Sequence, residues 1–428
     1  MRTRIDKAPT GKPCEVCGFV ENLRETGRMF FLVLRDASGK LQVTVEKSSM
    51  PALSAMCAEL SPEFVVRVRG VINENTYVKL GGREMVPESI EVLSKAEPLP
   101  LQPDAHIDTR LDHRWLDLRE DKNLLIFKAQ TTLSEAMRSF LLERGFLELH
   151  SPKLIGAASE SGADVFELGY FGGKAYLSQS PQFYKQMAMA AGFDAVFEQG
   201  PVFRAEKSHT NRHATEFTGF DLEFAYIDSF RDVMALEAEL LQAGLRAVAE
   251  KHGADIERLF GIKTVVPLLP FPELTLRELY EKLEVIYGLQ TPPEQRGDLT
   301  TEAERLAGKL SMDEYGHEFL FLTDFAPEGR AFYHMRDERG NPLGFDLVWR
   351  GVEITTGAQR EHRYERLAAQ ANERGLGEDV KFYLDFFRYG CPPHGGFGLG
   401  LDRLTMLLLG VTIKEAMFLF RGPGRLTP

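Results

Sequence analysis

The stretch AEPLPLQPDA, residues 96–105, places prolines at 98, 100 and 103. Proline fixes φ and removes a backbone donor, so this segment can neither sit in a central strand nor continue a helix. It divides a chain of 428 residues, already longer than a single hydrophobic core usually serves. The residues before it read as short strands: CEVCGFV, MFFLVLRD, KLQVTVEK, EFVVRVRGVI and EMVPESIEVL. Turn signals at Ala37-Ser38-Gly39 and Gly81-Gly82 separate them, and SMPALSAMCAELS reads as a helix after the third. Five strands with a helix in that place predict a small closed barrel of the oligonucleotide-binding (OB) kind, although the pattern alone leaves another small β domain open.

The part after the prolines has a different rhythm. An amphipathic helix is predicted from about Asn123 to Arg144, with Leu133, Met137, Phe140 and Leu141 as its buried stripe and Gly145 as its stop. FLELHSP reads as a strand ended by Pro152, and later strand patterns alternate with helices such as SFRDVMALEAELLQAGLRAVAEKHG. The expected fold class is α+β: a barrel over 1–103, a hinge over 104–125, and a domain over 126–428 built on an antiparallel sheet flanked by helices.

Composition narrows the function classes. The absence of any run of about 18 apolar residues argues against a membrane helix, and MRTRIDKAPTGKP lacks the apolar core of a secretory signal. Four cysteines make disulfide stapling a poor explanation and suit a reducing cytoplasm. The Cys14-Glu-Val-Cys17 pair falls in a strand pattern without a second pair, which argues against zinc. The net charge of −12 is unevenly spread: residues 1–100 hold 14 Lys and Arg against 13 Asp and Glu, the rest 37 against 50. A polyanion therefore fits the first hundred residues better.

The densest chemistry lies in FRAEKSHTNRHATEFTGFDLE, residues 203–223, which reads as a hairpin. Arg204 can meet a phosphate bidentately, and Arg403, in HGGFGLGLDR, can clamp the far end of the same polyphosphate. Arg212 and His213 can close over it, and Phe217 offers a surface for a base. Gly396, Gly398 and Gly400 keep one strand face bare for a flat ligand, while their spacing fits neither a dinucleotide loop nor a P-loop. Asp346 and Glu353, seven apart in a strand-like segment, are the residue type that magnesium on a nucleotide requires. Scattered surface ion pairs remain the alternative reading of these charges.

Several ordered segments carry a resemblance to class II aminoacyl-tRNA synthetases. FRAE with FTGFDLE resembles motif 2, GFGLGLDRL resembles motif 3, and FLELHSPKL resembles motif 1 with Pro152. LSQSPQFYKQ at 177–186, GVEITTGAQREH at 351–362 and FRYGCPPHGG narrow the resemblance to the aspartyl enzymes of compact archaeal and eukaryotic type. It extends over essentially the whole chain. It implies an anticodon-gripping barrel and a catalytic domain that makes aspartyl-adenylate from L-aspartate and ATP, with Mg2+, and then charges tRNA(Asp).

The roles that follow are those the resemblance implies. Arg204 holds the α-phosphate, Arg403 meets the γ-phosphate and covers the adenine, Phe217 stacks on its other face, and Glu206 reads its amino group. Arg212, His213 and Gly400 complete the ATP site, with Asp346 and Glu353 on the metal. Arg360, supported by Lys185, pairs with the aspartate side chain; Gln182, Asp221 and Glu160 bind its α-amino group. In the barrel, Phe31 stacks on the central anticodon base, Gln42 hydrogen-bonds it and Glu97 contacts the third base. Of the adjacent Phe30 and Phe31 only one can face inward, which an outward stacking residue requires. Pro152 and the helix before it imply a homodimer.

Some positions depart from the family pattern. Ser161 stands where a second glycine is usual, the C-terminal segment is short, and Glu21 occupies a place where relatives often carry an aromatic residue or histidine. Two rivals share much of the same evidence. One is a non-discriminating form that also charges tRNA(Asn), which would require an amidotransferase partner. The other is a regulatory paralogue without charging activity, against which Arg204, Arg403, Asp346 and Glu353 stand together with the barrel. Lys185 and the QSPQ segment argue against an asparaginyl enzyme.

Overall fold

The computed structural model describes residues 2–102, 104–156, 165–207 and 213–428. The chain forms two compact units, Met1–Asp117 and Leu118–Pro428.

In the first unit, strands β1 (Pro13–Glu25), β2 (Met29–Asp36), β3 (Gly39–Glu46), β4 (Val65–Glu74) and β5 (Arg83–Ser94) close into a barrel in the order β1-β2-β3-β5-β4. The helix Pro51–Ala58 lies between β3 and β4, within the SMPALSAMCAELS segment expected to be helical. Alternation sets the two faces: Phe30, Leu32 and Leu34 point into the core, and Phe31 and Val33 point out. Cys14 and Cys17 are both on β1, and all four cysteines are free.

The second unit is built on an eight-stranded sheet with two helices behind it. Its strands are β6 (Leu147–Glu148), β10 (Ala195–Phe203), β11 (Glu216–Ala225), β12 (Glu273–Thr275), β13 (Phe319–Thr323), β14 (Gly344–Trp349), β15 (Val352–Gln359) and β16 (His394–Gly400). A separate three-stranded sheet holds β7 (Leu154–Ile155), β8 (Glu167–Tyr170) and β9 (Gly173–Leu177). The large sheet runs β12-β13-β14-β15-β16-β11-β10-β6. Its central pairings are antiparallel, but β12 pairs parallel with β13 and β6 with β10, so the sheet is mixed at its edges.

The helices Asp121–Glu143 and Phe230–Phe260 cover one face. Leu133, Met137 and Leu141 are fully buried there, joined by Phe197, Phe220, Leu222, Phe345, Leu347, Phe397 and Leu399 from the strands. Gly244 lets the two helices approach, since a Cβ there would lie 2.8 Å from Leu133 and 2.9 Å from Met137. Ser229 and Asp232 form a capping box at the start of the longer helix, and Gly261 in left-handed conformation ends it. On the opposite face, Leu274, Leu320, Leu322 and Val348 join a second apolar cluster toward the β12 edge, and Asp346, Asp221, Glu223 and Glu198 occupy the more central strands.

Candidate active site

The polar face follows from strand register. Asp346, Thr356, Gly398, Asp221 and Glu198 are successive cross-strand partners on β14, β15, β16, β11 and β10, and paired residues point the same way. Glu223 and Gly396 form the next paired positions on that face. Their neighbours Phe220, Leu222, Phe397 and Leu399 enter the core behind. One period-two pattern thus divides β11 and β16 into a site face and a core face.

The segment holding Asp346 and Glu353 corrects the strand-like reading of the sequence. It is a hairpin, turning at Arg350 and Gly351, both at positive φ. Glu353 pairs with Val348, two residues from Asp346, so both carboxylates share the site face. The register shift between the Leu347 and Val348 pairings achieves this, leaving Ile354 as the extra residue. Two carboxylates seven apart on one unbroken strand would point to opposite faces.

A cavity of about 320 Å³ opens over this face. Arg204, Glu206, His213 and Phe217 line it from the β10–β11 hairpin, and Gly400 and Arg403 from the end of β16 and the helix that follows. Glu353, Gln182, Asp221 and Arg360 complete its walls. The Arg204 guanidinium lies 5.6 Å from the Phe217 ring centroid and 3.8 Å from Glu206. Arg403 donates to the Glu353 carbonyl at 2.7 Å. Asp402 accepts from the Thr218 amide at 2.7 Å and from Gln130 at 3.1 Å, which anchors the strand next to Phe217.

The inner end of the cavity is a closed charge network. Lys185 donates to Asp221 at 3.0 Å and lies 3.4 Å from Glu223. Arg360 donates to Glu223 at 3.0 Å and to the Gly396 carbonyl at 2.8 Å. Burial alone would raise the Glu223 pKa, but Arg360 and Lys185 outweigh it and hold the carboxyl below its ordinary range. His334, buried beside these cations, is held well below the ordinary histidine value, first by desolvation and then by Arg360, Arg330 and Lys185. It stays neutral at physiological pH. Gln182 donates to Gln186 at 2.8 Å, which fixes its amide at the cavity wall.

The glycine alternation on β16 has a more specific use than a bare platform. A Cβ at Gly396 would lie 2.1 Å from the Leu222 carbonyl and 2.5 Å from Glu223, and one at Gly398 would lie 2.9 Å from Asp221. The space over these glycines is filled by the two carboxylates of β11. Gly398 and Gly400 both line the cavity, but at Gly400 the nearest atom is the Arg403 Cβ at 3.5 Å, so a side chain there would meet no carboxylate.

Comparison with known proteins places this arrangement. Residues 106–421 match the tRNA synthetases class II (D, K and N), and residues 14–93 match the OB-fold nucleic acid binding domain. The chain is a class II tRNA synthetase of the D, K and N group. It is 41% identical to the aspartate–tRNA(Asp/Asn) ligase of Aeropyrum pernix, covering 98% of this chain and 96% of that one. It is 40% identical to the aspartate–tRNA(Asp) ligase of Pyrococcus abyssi, covering 100% and 98%. The asparaginyl-tRNA synthetase of Pyrococcus horikoshii, solved with asparaginyl-adenylate, superposes with a TM-score of 0.91 at 31% identity over all of both chains. The aspartyl-tRNA synthetase of Entamoeba histolytica does so at 0.88 and 31%, over 100% of this chain and 93% of that one.

Not every residue singled out in the synthetase sequence reaches the cavity. Lys185 and Asp346 sit one layer behind its lining, and Glu160 and Arg212 lie outside the described residues. Pro152 is exposed. Phe31, Gln42 and Glu97 belong to the first unit: Phe31 and Gln42 share the outer face of the barrel, and Glu97 is exposed beyond β5. Arg24, opposite Phe31 on β1, places its guanidinium 4.8 Å from that ring's centroid.

Three residues of the network escaped sequence reasoning. Arg330 donates to both oxygens of Asp346, at 2.7 and 2.6 Å, and both side chains are buried. Its segment, FAPEGRAFYH, has no periodicity that would reveal the contact. His334 was missed for the same reason. Glu223 had a usable signal, since it lies two residues beyond Asp221 on a strand and must share its face.

Proposed function

We propose that the synthetase is an aspartate–tRNA ligase, activating L-aspartate with ATP and transferring it to the 3′ end of tRNA(Asp). The observation that carries this reading is the buried pair Lys185 and Arg360 at the inner end of the cavity, balanced by Asp221 and Glu223. Arg360 lines the cavity and offers a cation to a side-chain carboxylate, with Lys185 adding positive charge from behind, and Asp221 offers an anion to an α-ammonium group. Asparagine brings no side-chain charge and would leave the cations partly unpaired in a dry site, a penalty of roughly a thousandfold. The identity of about 40% to ligases named for aspartate supports the same choice.

Activation needs no general base, because the α-carboxylate of aspartate is already a nucleophile. Its oxygen attacks the α-phosphorus of ATP, the bond to the β-phosphate breaks, and pyrophosphate leaves with the electron pair. The protein contributes alignment and charge stabilisation. Arg204 holds the α-phosphate, Arg403 the γ-phosphate, Phe217 and Glu206 the adenine, and His213 and Arg212 the outer phosphates. A hydroxyl of the terminal adenosine of tRNA then attacks the acyl carbon, and AMP leaves.

Magnesium fits the donor set in part. Glu353 is pushed up to about 7 by burial and then by the charge of Asp346, so a cation there would favour its ionised form. Asp346 has both oxygens engaged by Arg330, which makes Glu353 the direct ligand and Asp346 a supporting charge. When bound with the nucleotide, the ion supplies countercharge to the phosphates.

Phe31 and Gln42 on the barrel grip the central anticodon base, with Glu97 at the third. We assign the chain to the cytoplasm and to a homodimer with Pro152 in its interface. None of the described helices is long and apolar enough to cross a membrane.

Charging of tRNA(Asp) and tRNA(Asn) transcripts with labelled aspartate, side by side, tests the assignment. Charging of tRNA(Asp) supports it and charging of neither refutes it. Comparable charging of both identifies the non-discriminating form named among the relatives, with an amidotransferase as its partner.

A further inference from the structure

The outer face of the barrel holds a hydrogen-bond network that decides which way Gln42 points. Gln42 Nε2 donates to Glu84 Oε2 at 3.2 Å and to Thr44 Oγ1 at 3.2 Å. Thr44 donates its own hydroxyl to the same Glu84 oxygen. The other oxygen, Glu84 Oε1, accepts from Asn75 Nδ2 at 2.7 Å. A carboxylate accepts and does not donate, so only the amide nitrogen of Gln42 can face Glu84. Both N–H bonds of Gln42 are thereby committed, and among the described residues no donor meets its Oε1.

The backbone holds this arrangement in place. Gln42 and Glu84 are direct partners across β3 and β5, and Thr44 follows two residues along β3 on the same face. Thr44 is also the cross-strand partner of Phe31. The ring proposed to stack on a base and the amide proposed to read its edge are therefore adjacent on one surface.

We propose that Glu84 is a positioning residue that turns the Gln42 carbonyl outward, so that the barrel accepts a hydrogen bond from the base stacked beside it. This rests on the reading that Phe31 and Gln42 grip the central anticodon base. Aspartate codons carry adenine at their middle position, so that base is uracil, and the one donor on its pairing edge is N3–H. Gln42 Oε1 accepts from N3–H, and uracil O4 receives no bond from Gln42. Cytosine has an acceptor at position 3 and is rejected because two acceptors then face each other.

The test measures kcat/KM for charging, with competent enzyme in each preparation counted by adenylate formation. The unaltered protein is given tRNA(Asp) transcripts carrying uridine, N3-methyluridine, 4-thiouridine or cytidine at the central position. N3-methylation and cytidine should each lower kcat/KM about tenfold or more, and 4-thiouridine less than about threefold. Glu84→Gln, which can donate as well as accept, should cut the preference for uridine over cytidine about tenfold because the Gln42 amide is then free to turn. A loss with 4-thiouridine as large as with N3-methyluridine overturns the proposal. So does full preference in Glu84→Gln alongside lost preference in Gln42→Ala. If Gln42→Ala itself keeps the parental preference, the anticodon reading beneath the proposal fails instead. The modified transcripts decide the matter even if Glu84→Gln does not fold.

Discussion

Replacing Arg330 by methionine isolates the contact that the sequence hid. Arg330 is 9% exposed and Asp346 2%, and the two are joined by charge-assisted bonds of 2.7 and 2.6 Å. Methionine keeps much of the packing on Phe325, whose ring centroid lies 3.5 Å from the Arg330 guanidinium carbon. It removes the countercharge of a buried carboxylate, which costs about 3–5 kcal/mol. The double variant Arg330→Met/Asp346→Leu exchanges the whole pair for apolar groups and should recover stability to within about 2 kcal/mol of the parent. Guanidinium unfolding followed by Trp349 fluorescence is well suited, because Trp349 is buried on the same strand as Asp346 and the only other tryptophan, Trp115, can be replaced by phenylalanine. A single variant within about 0.5 kcal/mol of the parent would refute the reasoning. So would a double variant no more stable than the single one.

Two further outcomes follow from buried groups on either side of the sheet. Glu237, on the helix Phe230–Phe260, is fully buried, and its pKa is pushed up to about 8 by desolvation. The folded state therefore holds the proton more tightly than the unfolded chain, where a glutamate titrates near 4.3, so stability falls as pH rises between those values. Glu237→Gln should gain on the parent by a few kcal/mol between pH 5 and pH 8 in chemical unfolding, and a pH-independent difference would contradict this. Gly396→Ala should destabilise the second unit by about 1–3 kcal/mol, since its Cβ would meet the Leu222 carbonyl at 2.1 Å. Gly400→Ala should fold normally and raise KM for ATP; equal thermal shifts for the two alanines would count against the assigned uses of these glycines.

Legibility tracked how local the physical cause was. The barrel strands were readable because alternation and turn residues are properties of a few neighbours, and β2 spans the eight residues MFFLVLRD picked out by pattern. The helix stripe at Leu133, Met137 and Leu141 was readable for the same reason. The Asp346–Glu353 hairpin was misread because GFDLVWRGVEITT keeps strand propensity through its turn, and Arg350 at positive φ gives no warning that Gly351 alone would not. The glycines of β16 were read as keeping a strand face bare for a flat ligand, but at Gly396 and Gly398 the space is taken by carboxylates of β11, some 170 residues away in sequence. Arg330, His334 and the Glu84 network depend on long-range pairing, which no short window contains. The motifs that resembled the synthetase family supplied that missing convergence for Arg204, Phe217 and Arg403.

The central claim is that Lys185 and Arg360, set against Asp221 and Glu223, make this cavity a site for aspartate. Amino-acid-dependent exchange of pyrophosphate into ATP, with aspartate and asparagine titrated on the same enzyme in the presence of magnesium, tests it most directly. The account predicts exchange with aspartate at a kcat/KM roughly a thousandfold above that with asparagine. Comparable exchange with both amino acids, or exchange with asparagine alone, would contradict it.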